Sequence, residues 1–138
     1  YFNVYGERQP TKGQYAPVIG LFQKQHAEGL PMSIVGDGKQ TRDFTYVGDV
    51  VDANIKAATT ENPDAYGEIF NIGTGNSYDM FDLVKMVGGD DAKHEFIPER
   101  LAEIRDSKAN TDKAKNILDW QYTTKLEDWI TSCKQQLA

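Results

Sequence analysis

Residues 32–47 read Met-Ser-Ile-Val-Gly-Asp-Gly-Lys-Gln-Thr-Arg-Asp-Phe-Thr-Tyr-Val, and this stretch decides what kind of fold the chain can adopt. The apolar run at 32–35 predicts a short strand, and Gly36 to Gly38 predict a turn that requires positive φ. A second strand is predicted over 42–47, with both of its aromatic side chains on one side. This stretch therefore predicts two short strands joined by a glycine turn.

Patterns on both sides of this stretch complete the domain. Helices are predicted to begin at Ala16, Asp49, Ser77, Asn110 and Thr124. The second helix is expected to bury Val51, Ile55 and Ala58, and the third Met80, Leu83, Val84 and Val87. Further strands are predicted over residues 1–5, 68–72 and 94–97. Strands and helices do not alternate regularly, so the fold class predicted is α+β, with short strands and four or five helices.

Composition limits the partners that the chain can have. A length of 138 residues suits one compact domain, and 15 basic against 21 acidic residues give a net charge of −6. Such a chain has no basic field to gather nucleic acid or an anionic membrane surface, so a few placed cations must hold any anionic ligand. Apolar runs are too short to cross a bilayer, and no leader precedes them. We therefore expect a cytoplasmic protein.

Two residue types that often carry chemistry, cysteine and histidine, are scarce. Cys133 is the one cysteine, and His26 and His94 are the two histidines, which excludes an intrachain disulfide and gives no metal-ligand spacing. Cys133 falls on the apolar stripe of the last helix and is interpreted as a structural thiol. No metal site and no catalytic residue are predicted.

Two segments could bind an anion. Arg42, at the start of a strand beside a glycine turn, can aim a guanidinium fork at phosphate oxygens, or it can form a surface pair with Asp43 or Asp49. Gly73-Thr74-Gly75 can offer backbone N–H groups to an anion, or it can be an ordinary loop. Spacing alone leaves both alternatives open.

Five segments, in this order, resemble the C-terminal half of the proteins of a known family. They are residues 1–9 (YFNVYGERQ), 15–19 (YAPVI), 36–47 (GDGKQTRDFTYV), 49–51 (DVV) and 70–75 (FNIGTG). The family is the NAD-dependent epimerase/dehydratases, which are extended short-chain dehydrogenases acting on sugar nucleotides. The chain looks most similar to UDP-glucose and UDP-N-acetylglucosamine 4-epimerases.

The resemblance implies a division of labour between two domains. In such enzymes an N-terminal Rossmann domain carries the Gly-rich NAD loop and a Tyr-x-x-x-Lys pair, and the C-terminal domain holds the nucleotide sugar. Neither motif occurs in this sequence. Residues 1–138 are therefore expected to be the substrate-binding domain, truncated at its N-terminus, which binds no NAD and turns over no substrate alone.

The resemblance also implies which residues bind the UDP-sugar. Asn3, Arg42 and Arg100 match residues that hold the diphosphate. The uracil would lie on Ala16, Pro17, Ser33 and Val35, the ribose on Glu103, and the nicotinamide of the partner half near Tyr1 and Val4. Residues 100–103 depart from the family's Arg-x-Gly-Asp, because Ala102 replaces glycine and Glu103 replaces aspartate.

Other functions and partners remain open at this point. The chain could be half of a sugar-nucleotide dehydratase or decarboxylase, or a stand-alone nucleotide-sugar binding module. A strand at residues 1–5 cut from its neighbours must be covered, either by the missing N-terminal half or by self-association.

Overall fold

The structure is a computed structural model that describes residues 1–11, 13, 16–99, 101 and 103–137. The described residues form four short strands, five α-helices and one 3₁₀ turn (Pro63–Ala65). In chain order the strands and α-helices are β1 (Val4–Tyr5), α1 (Val18–Ala27), β2 (Met32–Val35), β3 (Thr45–Tyr46), α2 (Val47–Thr59), α3 (Met80–Gly88), β4 (His94–Ile97), α4 (Asp112–Leu118) and α5 (Leu126–Leu137). Within the described residues, no helix is both long and apolar enough to cross a membrane.

The strands form two separate parallel pairs. β1 pairs with β3, Val4 opposite Thr45, and β2 pairs with β4 in a register that runs from Met32 opposite His94 to Val35 opposite Ile97. Parallel strands need long connections, so each pair joins distant parts of the chain. The predicted α+β character is observed, whereas the parallel pairing depends on tertiary contacts.

Two apolar clusters hold these elements together. The larger one joins β1, α1, β2, α3 and α5 around fully buried side chains such as Phe22, Ile34, Leu83 and Ile130. The smaller one surrounds Trp120 and packs α2 against α4. Burying each such side chain contributes about 1.5–3 kcal/mol to the stability of the fold. The strands are short, and this packing holds them in place.

The strand β2, its turn and the third helix match their sequence patterns. Gly36 and Gly38 adopt φ of +64° and +76°, and a Cβ at Gly38 would lie 2.8 Å from the Phe81 ring. All four predicted apolar positions of α3 are buried. Its N-cap, however, is Asp79 rather than Ser77, because Asp79 and Asp82 each bind the other's backbone N–H in a capping box.

The predicted buried face of α2 is wrong. Val51 and Ile55 are 53 % and 56 % exposed, and the helix instead buries Val50, Ala53 and Asp49. The helix begins at Val47, so Asp49 lies within the first turn and does not cap it. The carboxylate of Asp49 reaches another segment, as described below, and this contact buries the side of the helix that carries Asp49.

Other boundaries also differ from the sequence predictions. Residues 68–72 form no strand, and their link to the N-terminal segment is one bond from the Phe2 N–H to the Ile72 carbonyl at 3.0 Å. The second predicted strand shrinks to β3, because Arg42 pairs instead with Tyr78 in an isolated antiparallel bridge. The fourth and fifth helices each begin two residues later than predicted.

Candidate functional site

A cleft of about 420 Å³ opens between the start of α1, the outer side of β2 and the segment that precedes β3. Eight of the ten residues predicted to bind nucleotide or cofactor line this cleft. They are Asn3, Val4, Ala16, Pro17, Ser33, Val35, Arg42 and Glu103. The fold therefore gathers residues from five separate segments of the chain at one place.

The other two predicted residues do not join them in the structure. Tyr1 is 71 % exposed, and its hydroxyl donates a hydrogen bond to Asn54 Oδ1 at 2.8 Å, outside the cleft lining. Arg100 lies outside the described residues.

Arg42 supplies the positive charge of the cleft. Its Nη2 lies 2.6 Å from Glu103 Oε1, and the two side chains are only 14 % and 28 % exposed. Nη1 donates to the Thr41 carbonyl at 2.8 Å, which holds the guanidinium in one orientation. Among the described lining residues Arg42 is the one cation. The hydrogen bond to Glu103 joins one nitrogen of the guanidinium to one carboxylate oxygen.

The ion pairs that the sequence suggested for Arg42 are not formed, because both candidate aspartates are buried and engaged elsewhere. Asp43 is fully buried and accepts four donors: the backbone N–H groups of Thr74, Gly75 and Ala109 and the Thr74 hydroxyl. The N–H groups of the Gly73–Gly75 loop thus bind an anion, but that anion is the Asp43 carboxylate of the same chain. Four donors offset the cost of burying this charge.

Asn3 lies at the entrance of β1 in a strained conformation. Its φ is +27°, a region that asparagine tolerates better than most residues, and its Nδ2 donates to the Asp43 carbonyl at 2.7 Å. The segment around the buried Asp43 therefore orients Asn3 on one side and carries Arg42 on the other.

Sequence reasoning missed one polar residue of the cleft. Gln40 is 6 % exposed, lines the cleft beside Val35 and donates from Nε2 to the Val35 carbonyl at 2.8 Å. It stands between a turn and a strand, where no periodicity marks a side chain as buried. Apolar floor residues such as Phe44, Met80 and Ile97 complete the lining.

Two tyrosines, Tyr5 in the cleft lining and Tyr78 paired through its backbone with Arg42, have raised pKa values. Tyr5 is 1 % exposed, and its burial raises the pKa of the phenol well above its usual range. Burial and a hydrogen bond to Glu127 raise the pKa of Tyr78 in the same direction. Neither phenol is therefore prepared to act as a base near neutral pH.

A larger groove of about 710 Å³ lies elsewhere, between α1 and α5, and includes His26 and Cys133. Burial raises the pKa of the half-buried Cys133 thiol, which weakens it as a nucleophile. The smaller cleft at Arg42 is the better functional candidate because a preoriented cation, a buried amide and an apolar floor converge there.

Comparison with known proteins points to one family. Residues 1–73 match the NAD dependent epimerase/dehydratase family. The UDP-glucose 4-epimerase of Mycolicibacterium smegmatis is 35% identical over 131 residues, which cover 93% of this chain and 41% of that protein. UDP-glucuronic acid decarboxylase 1 of Arabidopsis thaliana is 35% identical over 132 residues, which cover 94% of this chain and 29% of that protein.

A solved structure has the same fold over the whole chain. The UDP-glucuronic acid 4-epimerase from Bacillus cereus, in complex with UDP-glucuronic acid and NAD, aligns with a TM-score of 0.86 and 31% identity. The alignment covers 100% of this chain and 44% of that one. This chain thus spans less than half the length of the relatives that it matches. The family match over more than half of its residues shows that the chain belongs to the NAD-dependent epimerase/dehydratase family.

Proposed function

We propose that this chain is the nucleotide-sugar binding half of an NAD-dependent sugar-nucleotide 4-epimerase, with a UDP-sugar as substrate. The observation that carries the proposal is the placement of Arg42. It is a preoriented and mostly buried cation in a cleft that also contains six other residues matched to the family's nucleotide-sugar site. A diphosphate of about two negative charges needs such a fork in a protein with a net charge of −6.

The cleft suggests how the ligand would divide among its residues. The diphosphate lies on Arg42 and Asn3, with Arg100 as the proposed second cation. The uracil lies between the start of α1 (Ala16, Pro17) and the edge of β2 (Ser33, Val35). Glu103 is proposed to accept a hydrogen bond from the ribose once phosphate displaces it from the Arg42 fork.

Strong binding of the nucleotide and weak binding of the sugar would suit epimerisation. A 4-epimerase must present both faces of the sugar to one nicotinamide, so binding energy belongs on the part of the substrate that does not react. In this proposal the diphosphate lies on Arg42, the cation of the described cleft lining, and the sugar lies near β1, where Val4 and Tyr5 line the cleft beside Asn3. This arrangement leaves the sugar free to turn.

The residues of this chain do not fit an NAD site of their own. The 138 residues contain no Gly-x-Gly-x-x-Gly loop, and the N–H groups of the Gly73–Gly75 loop are already bound to Asp43. In this proposal NAD is held by an N-terminal half, and Val4 and Tyr1 contribute the near side of the nicotinamide region. The chain alone is expected to bind no NAD.

A second candidate function is the corresponding half of a UDP-sugar decarboxylase. The Arabidopsis relative with that activity is as similar in sequence as the mycobacterial epimerase, at 35% identity each. In this proposal both reactions bind the nucleotide part of the substrate in the same way, so the cleft described here would serve either one. A stand-alone nucleotide-sugar binding module would use it as well.

Titration of the chain with UDP by calorimetry tests the proposed role of the cleft. Arg42→Lys should raise the Kd about 5- to 30-fold, a loss of about 1–2 kcal/mol, because a point charge replaces a bidentate fork. Arg105→Lys is the matched control. That arginine pairs with the exposed Asp37 and lies outside the cleft lining, so the Kd should stay within about twofold.

Thermal melts of the same variants separate a binding role from a structural one. If Arg42 serves only as the ion-pair partner of Glu103, Arg42→Ala melts early and binds UDP as the unaltered chain does. That result would remove Arg42 from the site. A millimolar Kd corresponds to a binding free energy on the order of −4 kcal/mol. If the unaltered chain does not bind UDP at millimolar concentration, nucleotide binding by the chain itself is refuted.

A further inference from the structure

The outer edge of β2 faces the candidate cleft with its backbone polar groups. Met32 N–H donates to the Lys93 carbonyl and Gly36 N–H to the Ile97 carbonyl, so the even-numbered residues of this strand bond toward β4. Backbone groups alternate in direction along a strand, and those of Ser33 and Val35 therefore point to the opposite edge. This edge carries four groups in a row: two N–H donors and two carbonyl acceptors.

Gln25, on α1, binds the first group of this edge. The Ser33 N–H donates to Gln25 Oε1 at 3.0 Å, and Gln25 Nε2 donates to Ser33 Oγ at 2.8 Å. A backbone N–H can only donate, so the orientation of the Gln25 amide is determined by chemistry. The Ser33 N–H is thereby closed to any ligand.

Gln40 binds the last group of the edge. Its Nε2 donates to the Val35 carbonyl at 2.8 Å, and the side chain is buried, with the residue 6 % exposed. A carbonyl can only accept, so this amide too has one allowed orientation. Gln40 reaches the strand from the segment that also carries Arg42, which couples the edge of β2 to the proposed diphosphate position.

The two amides leave one acceptor and one donor between them. The Ser33 carbonyl and the Val35 N–H lie side by side on the edge and point away from β4. Neither group is hydrogen-bonded to a described residue outside the β2–β4 pair. Adjacent acceptor and donor groups match the N–H and C=O of an imide, the edge that uracil presents. Both residues line the cleft.

We infer that Gln25 and Gln40 are positioning residues that shape a base-reading edge on β2. By occupying the outer two groups they present only the Ser33 carbonyl and the Val35 N–H to a nucleobase. This inference rests on the proposed function, because it takes the cleft to bind a nucleotide. It adds two side chains that the family resemblance did not supply.

Amide-resolved NMR of the ¹⁵N-labelled chain tests the inference with UDP and inorganic pyrophosphate as ligands. UDP should move the Val35 amide resonance with saturation, whereas pyrophosphate, which has no base, should move that resonance much less at its own saturation. Gln40→Met and Gln25→Met keep the size of the side chain and remove the amide. Each should raise the Kd for UDP about tenfold and reduce the shift of the Val35 amide at saturation.

Gln23→Met is the matched control. Gln23 lies on the same helix as Gln25, but its amide contacts Gln9 and not β2, so the Kd for UDP should change by less than about twofold. A UDP-saturated chain in which the Val35 amide does not move would overturn the inference and leave nucleotide binding intact. The inference is also overturned, with nucleotide binding intact, if Gln40→Met and Gln25→Met bind UDP as tightly as Gln23→Met. A chain that shows no saturable change with UDP refutes the proposed function, and the inference fails with it.

Discussion

Single carboxylates do most of the positioning around the cleft, and each does so through different donors. Asp43, the residue next to Arg42, accepts hydrogen bonds from the Thr74 and Ala109 N–H groups and so joins their two segments to the cleft. Asp37 instead lies on the surface of the glycine turn, where Arg105 binds both of its oxygens at 2.7 and 3.0 Å. A buried aspartate such as Asp43 joins segments of the chain, whereas the exposed Asp37 only forms an ion pair at the surface of a turn.

The Asp37 pair makes a prediction about pH. The hydrogen bond from Arg105, followed by that from the Lys39 N–H, lowers the pKa of the Asp37 carboxyl to about 2. A lowered pKa in the folded state contributes stability that is present above about pH 4, the ordinary value for aspartate, and is lost as the pH falls toward 2. Carboxyl-carbon NMR should show Asp37 titrating near 2.

Arg105→Gln provides the control for that measurement. Removal of the guanidinium should move the Asp37 midpoint back toward its ordinary value, while the midpoint of Asp90, whose pKa is lowered by Lys85 rather than by an arginine, stays unchanged. An Asp37 midpoint near 4 in the unaltered chain would show that the bidentate pair does not persist in solution.

At the scale of elements, Asp49 connects α2 to the segment that leads into α5. Its two carboxylate oxygens accept the N–H groups of Thr123 and Thr124 and the Thr123 hydroxyl, at 2.7–3.1 Å. Its carbonyl accepts the indole N–H of Trp120 at 3.0 Å. One residue therefore sets both which side of α2 is buried and where α5 begins.

Asp49→Asn should lower the free energy of unfolding by about 1–3 kcal/mol, because one oxygen becomes an NH₂ that faces a buried donor. Asp52→Asn, on the same helix, is the control. Asp52 is 50% exposed and lies 3.8 Å from Lys56, so its loss should cost less than about 0.5 kcal/mol. Urea unfolding measures both, and equal costs would contradict the connecting role of Asp49.

At the scale of the whole molecule, an apolar surface on α2 has no partner among the described residues. Val51 and Ile55 are more than half exposed, and the bond from Tyr1 to Asn54 places a third apolar side chain beside them. The chain also spans less than half of its relatives' length. We propose that an N-terminal half of the enzyme covers this surface.

The sequence placed self-association on an exposed strand at residues 1–5, but that strand is limited to Val4–Tyr5, pairs with β3 and buries Tyr5. Without the N-terminal half, the apolar surface of α2 should instead drive weak self-association. Sedimentation velocity at tens of micromolar, an order-of-magnitude choice for weak binding, should show species larger than a monomer. Val51→Glu combined with Ile55→Glu should restore the monomer with little change in thermal stability, because both side chains are exposed. Ile69→Glu, at a site 85 % exposed and outside α2, should not. A monomeric unaltered chain would contradict the prediction.

The sequence by itself determined several of the local elements and the identity of the family. Helical spacing placed the buried face of α3, the glycines placed the turn after β2, and ordered motifs over residues 1–75 pointed to the epimerase/dehydratase family, to which the chain belongs. These features depend on neighbours within a few residues, or on motifs that relatives share.

Only the tertiary structure decided which side of α2 is buried, which residue pairs with Arg42, and that Gln40 lies inside the cleft. Each depends on a group far away in the chain: Thr123 for Asp49, Glu103 for Arg42, and a strand edge whose direction follows from β4 for Gln40. A buried polar side chain is placed by the partner that satisfies it. No periodicity in the sequence records that partner, so burial of polar groups could be read only from the folded chain.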